Sequence, residues 1–161
     1  MSDLRSLEQE NAQLKEKIRQ YETLINELSA PIIPSIIPNT ILIPLMGAMT
    51  DSRFSSIQTN ILLNIQPQDA DTVLVDFTGI SLSGLDEHGI RVLSHKIYQL
   101  KDSLELMGVE VIFTGFSPEF AQGIIQADID TSKLTIHSTF RTGLQYLMKK
   151  KGLKFINGKQ L

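Results

Sequence analysis

The first 28 residues contain no Pro, Gly or Phe, and their apolar side chains recur with the spacing of a heptad: Leu4, Leu7, Leu14, Ile18, Tyr21, Ile25 and Leu28. Asn11 fills the remaining seam position. This pattern commits the segment to one long helix with a narrow apolar seam, and such a seam is stable only against another helix. Leu4, Asn11, Ile18 and Ile25 fall at position a, where β-branched residues favour two strands and a single buried Asn fixes register and orientation. In a parallel pair, Glu10 at g faces Lys15 at e of the other chain, and Lys17 faces Glu22 in the same way. The spacing therefore predicts a parallel dimer held by Leu7, Asn11, Leu14, Ile18, Tyr21, Ile25 and Leu28. A helix packed on its own domain normally carries a broader apolar stripe.

Pro31 and Pro34 stop that helix, because proline has no amide donor and disfavours helical geometry in the residue before it. A dimerisation helix over residues 1–30, a globular domain over 31–151 and a tail over 152–161 are expected. Within the domain, short Ile-, Val- and Leu-rich segments alternate with helical patterns. Strands are predicted over 32–37, 40–46, 72–77, 109–114 and 134–136. Helices are predicted from about Asp51 to Ile65, Gly89 to Met107, Pro118 to Ala127 and Phe140 to Lys150. Ile90, Leu93, Ile97, Leu100, Leu104 and Met107 form one face of the longest, which Gly108 ends. A hairpin followed by strand–helix units predicts an α/β fold, a mixed sheet covered by helices.

The chain's 161 residues suffice for one domain with a full core plus an appendage. Fifteen basic and eighteen acidic residues, spread through the chain, give no basic stripe for nucleic acid. The absence of Cys excludes disulfides, thiolate metal sites and Cys nucleophiles. A charged N-terminus and no apolar run of about 18 residues argue against secretion and membrane spanning, so a cytoplasmic protein is expected. His88, His95 and His137 lack the spacing of zinc ligands, and no P-loop, GxSxG or GxGxxG occurs, so neither metal nor cofactor is expected. Asp86, Glu87 and His88 can be drawn as an acid–base cluster. Favourable charge at a helix N-terminus explains them more simply. Gly47, Gly79, Gly84 and Gly115 are expected just past strands, where turns need them.

The segment Thr78 to Gly84 leads from a buried strand into the N-terminus of the long helix. Free amides and the dipole at such a place stabilise phosphate, and Ser81 and Ser83 carry hydroxyls that can receive it. On physical grounds alone, turn and capping roles account for both serines better.

From Pro31 to about Lys150 the sequence resembles the STAS domain of RsbR-type stressosome proteins, the co-antagonists of the sigma-B stress pathway. The resemblance is carried by Pro31-Ile32-Ile33-Pro34, Ile43-Pro44-Leu45-Met46-Gly47, Val75-Asp76-Phe77-Thr78-Gly79, Gly108-Val109-Glu110-Val111-Ile112 and Gly115 to Gln122. It implies a STAS-type sheet and a non-enzymatic scaffold that joins a smaller STAS protein and holds a switch kinase. In the family, the kinase is released when it phosphorylates the STAS surface, and the N-terminal part is a dimeric sensor module, whose place the heptad segment takes here. The family's first acceptor follows an Asp at the start of the first STAS helix. This chain reads Thr50-Asp51 there, a fixed carboxylate in the acceptor position. The second acceptor pair falls on Gly84-Leu85, neither of which accepts phosphate, leaving Ser81 or Ser83 as irregular substitutes. The expected partner-facing region is thus Thr50, Asp51, Ser81, Ser83, Gly84 and Leu85, within a surface formed by the helix start at Asp51 and the 81–88 loop. The alternative is a free anti-sigma factor antagonist switched by phosphorylation of a loop Ser.

Overall fold

The computed structural model describes residues 2–28, 30–82 and 84–158, with the backbone alone for 26–28. The elements in chain order are α1 (Ser2–Leu28), β1 (Ile33–Pro34), β2 (Thr40–Ala48), α2 (Asp51–Asn64), β3 (Thr72–Ser81), α3 (Glu87–Leu106), β4 (Glu110–Thr114), α4 (Pro118–Gln126), β5 (Ile136–His137) and α5 (Phe140–Lys150). The strands form one sheet in the order β1-β2-β3-β4-β5. β1 runs antiparallel to β2 and every later pair is parallel, so the sheet is mixed.

The period-2 alternation of the strands separates two cores. Ile41, Ile43 and Leu45 of β2, Val73, Val75 and Phe77 of β3, and Val111 and Phe113 of β4 point to the face covered by α2, α3 and α4. Leu74 and Ile112 point to the other face, where Leu147 of α5 covers them. Three strand–helix–strand crossovers of one hand put three helices on one face, and only the last helix is left for the other. Phe77, Phe113, Phe116 and Phe120 meet at one end of the larger core, with ring centroids 4.9 to 6.4 Å apart.

Several expectations are corrected. The first strand shrinks from 32–37 to Ile33–Pro34, because Pro34 and Pro38 have no N–H to give a ladder and the chain turns at Ser35, whose N–H donates to Thr40 O at 3.0 Å. The last strand is Ile136–His137, since Leu134 closes a turn onto Thr131 O. Gly47 and Gly79 lie inside β2 and β3 rather than beyond them, because those strands pair on to Ala48 and Ser81. Met107 is exposed, since as the C-cap of α3 it has left the helical face.

α1 forms as the heptad requires. Leu4, Leu7, Leu14, Ile18, Tyr21 and Ile25 are each 51% to 63% exposed, and Asn11 is exposed beside them. The side chain of Leu28 lies outside the described residues. Among the described residues α1 touches no element but α2, so the described seam is not spent on the chain's own domain. No described helix is long and apolar enough to cross a membrane.

Candidate functional site

In a parallel sheet the strands all end at one edge, and the following helices begin there. Ala48 and Ser81 are register partners at the ends of β2 and β3, so the turn into α2 and the loop into α3 start side by side. Thr50 is the N-cap of α2, its Oγ1 accepting from Arg53 N at 3.2 Å. Asp51 follows in the first turn, exposed, where its charge complements the helix dipole. Lys96 reaches over from α3 to lie 3.6 Å from the Asp51 carboxylate and donates to Ser55 Oγ at 3.0 Å. The carboxylate at position 51 is therefore held in place between the two helices, at a strength limited by its exposure.

The second half of the region is less uniform. Ser81, the last residue of β3, is exposed, whereas Ser83 lies outside the described residues. Gly84 is exposed with φ +83°, and Leu85 is half-buried against the larger core. Asp86 caps α3, accepting from Gly89 N at 2.8 Å. Glu87 pairs with Arg91 at 3.4 Å on the surface, and His88 is exposed. The three residues thus serve the helix start separately and do not converge as an acid–base cluster. Among the described residues, no group of three His, Asp or Glu is placed to hold a metal.

Two features behind this edge were not found in the sequence. Arg53 is 6% exposed and its guanidinium donates to the main-chain oxygens of Met46 and Ala48, tying α2 to the end of β2. Burial pushes this guanidinium below its usual value, yet an arginine remains a cation at neutral pH. Its i, i+4, i+8 spacing with Ile57 and Ile61 on the buried stripe was the available signal. The other feature joins β3 to β4. Asp76 Oδ1 accepts from Thr78 Oγ1 at 2.9 Å and from the fully buried Thr114 Oγ1 at 2.8 Å. Gly115 closes over this knot with φ +77°, and a Cβ there would meet Thr78 Oγ1 at 2.3 Å and Asp76 Oδ1 at 2.6 Å. The geometry is that of a helix-capped edge carrying exposed polar side chains.

No family model matches the sequence. Its homologues include RsbT co-antagonist proteins. RsbRA of Bacillus subtilis (strain 168) is 29% identical over 133 residues, which cover 83% of this chain and 46% of that protein. The chain thus spans less than half the length of these curated relatives. Among solved structures, a variant of RsbS from Moorella thermoacetica superposes with a TM-score of 0.56 at 22% identity, covering 77% of this chain and 98% of that one. A chain from the molecular architecture of the stressosome, a signal integration and transduction hub, gives 0.52 at 20% identity, covering 75% and 98%.

Proposed function

Given that this chain is a STAS-fold homologue of the RsbT co-antagonists, we propose that it is a non-enzymatic regulatory scaffold of the stressosome type. It joins other STAS proteins and holds a switch kinase in a stress pathway controlling a sigma factor. The observation that carries this reading is that Thr50 and Asp51 follow the end of β2 while Ser81 ends the neighbouring β3, on the same edge as the capped start of α3. The N-termini of α2, α3, α4 and α5 follow parallel strands onto that edge, and what they present is a binding surface. RsbRA is named as an antagonist of a partner, which supports binding rather than turnover as the work of this chain. The test mixes the full chain with a smaller STAS scaffold protein and follows particle size by light scattering. Particles far larger than a dimer are expected. A chain that stays small with every scaffold tested, yet binds a kinase one to one, is a free antagonist instead.

At the site itself, Asp51 replaces a switchable hydroxyl with a fixed charge, and Lys96 already compensates it. Incubation with a cognate switch kinase and ATP is expected to leave position 51 unmodified and Ser81 modified slowly at most. Asp51→Thr is expected to create a labelled site, because Thr50 still caps the helix and presents the next residue in the same place. Mass spectrometry reads both outcomes. Rapid stoichiometric labelling of Ser81 or Ser83 in the unaltered protein overturns the reading of a fixed surface.

A further inference from the structure

Between α5 and the turn from β1 to β2 lies an apolar trough that the scaffold reading does not use. It exists because a single helix covers this face of the sheet. Among the described residues α5 lies over β3, β4 and β5 but over neither β1 nor β2, so the flank beside it stays open. The trough has a volume of about 410 Å³. Small-molecule sites commonly enclose about 300 to 1,000 Å³. Ile37, which is 3% exposed, and the half-buried Phe140, Leu144 and Met148 belong to the smaller core and form the floor. Ile36 and Phe155 line the same space yet are 90% and 84% exposed, so two large apolar side chains stand in water at its rim. Their backbone is anchored on both sides. Ser35 N donates to Thr40 O and Ile37 N donates to Ser35 Oγ, each at 3.0 Å. After α5 the chain turns back at Gly152, with φ +72°, and Leu153 N donates to Met148 O at 2.7 Å.

We propose that this trough binds a single-chain amphiphile with an anionic head, of the chemical class of a fatty acid. The rim decides the sign of the head. Arg141 is the only charged residue among the nine that line the trough. Among the described residues its guanidinium makes no ion pair or hydrogen bond, and neither does the side-chain amide of Gln145, about one helical turn further on. Both keep their N–H donors for a guest, and the planar fork of a guanidinium matches a carboxylate. Six apolar side chains beside one cation fit one aliphatic chain that ends in one negative charge. The chain leaves water along the floor while the head pairs with Arg141 at the surface. A protein partner fits less well, since a stable interface engages roughly 20 to 30 residues a side, far more than line this trough. The site stands independently of the scaffold reading, because it lies on the sheet face opposite α2 and α3.

Calorimetric titration of the full-length protein with laurate, kept below its micelle threshold, tests this. One laurate per chain is expected to bind with a Kd of about 100 µM. An alkyltrimethylammonium ion with the same chain is expected to bind about 10-fold more weakly, and Arg141→Gln to weaken laurate about 5- to 10-fold. Ile36→Glu, at a side chain exposed enough for the change to leave the fold intact, is expected to weaken laurate by about 10-fold. In NMR spectra the methyl groups of Ile37, Leu144 and Met148 should shift during the titration, while those of Leu93 and Ile97 in the other core should not. No heat with laurate, equal binding of both head groups, or laurate binding untouched by Arg141→Gln and Ile36→Glu each overturns the proposal. So does cosedimentation with anionic phospholipid vesicles without laurate binding, which marks a membrane surface. A fall in the sedimenting mass with Ile36→Glu, again without laurate binding, marks an interface between copies and overturns it as well.

Discussion

Gly115→Ala is expected to destabilise the protein by about 3 kcal/mol, combining the backbone cost of a side chain at positive φ with overpacking. The new Cβ would sit 2.3 Å from Thr78 Oγ1 and 2.7 Å from Thr78 N, so both a side chain and the backbone of β3 must move. That movement breaks the hydrogen bonds by which Asp76 holds Thr78 and Thr114, leaving the fully buried Thr114 hydroxyl without its acceptor. For a chain of this size the expected fall in Tm is about 6 to 12 °C. Gly84→Ala separates the two causes, because Gly84 has φ +83° but no atom within 4 Å of an added Cβ. Its cost should be about 1 kcal/mol, the backbone part alone. Thermal unfolding of the two variants checks this, and equal losses would show that the polar knot contributes nothing.

Arg53→Met should cost about 2 to 3 kcal/mol, since it removes charge-assisted hydrogen bonds to two main-chain oxygens while keeping most of the buried stem. The loss falls less on the core than on the geometry of the candidate site. Residues 46 to 50 connect β2 to the helix start that presents Asp51, and Arg53 is what anchors them. Limited proteolysis is expected to cut this connection in the variant before any other part of the sheet domain. Arg53→Lys should recover less than half of the loss, because one ammonium lacks the planar fork that spans both oxygens. A variant as stable and as resistant as the unaltered protein would remove Arg53 from the account of this edge.

Much of the fold was legible because the relevant physics is local. The heptad of α1 and the apolar face of α3 at Leu93, Ile97, Leu100 and Leu104 repeat at helical spacing, and each was found within two residues of its true bounds. The α5 range, 140–150, needed no change. The same local reasoning overextended β1 through Ile37, since an apolar run says nothing of the missing ladder donors at Pro34 and Pro38 until a partner strand is in place. It also treated Gly79 as a turn residue. The structure shows it inside β3, where an added Cβ would come 2.9 Å from Leu45 O of the neighbouring strand.

The candidate site divides in the same way. Thr50 and Asp51 at the start of α2, and Asp86 and Glu87 at the start of α3, were legible because a helix N-terminus has a local signature of caps and acidic residues. Their adjacency was expected only from the family resemblance, because physically it depends on β2 and β3 being parallel neighbours in a register that pairs Ala48 with Ser81. Leu85 looked like an open position in a loop and proved to rest against the core. Ser94 is buried and its Oγ has no hydrogen-bond partner among the described residues, which periodicity at that position did not reveal.

Sequence alone determined the helices, the strands, the alternation that gives the sheet two apolar faces and the heptad that leaves α1 with an exposed seam. These follow from spacings of two, three and four residues, which the backbone imposes wherever the chain goes. Only the tertiary structure decided that Arg53 turns inward to the ends of β2, that Lys96 spans to Asp51, and that Gly115 closes over Asp76 and Thr114. Each of those contacts joins residues on different elements, or reverses the usual exposure of a charged side chain. Whether such groups meet is fixed by strand order and register, which no short stretch of sequence encodes by itself.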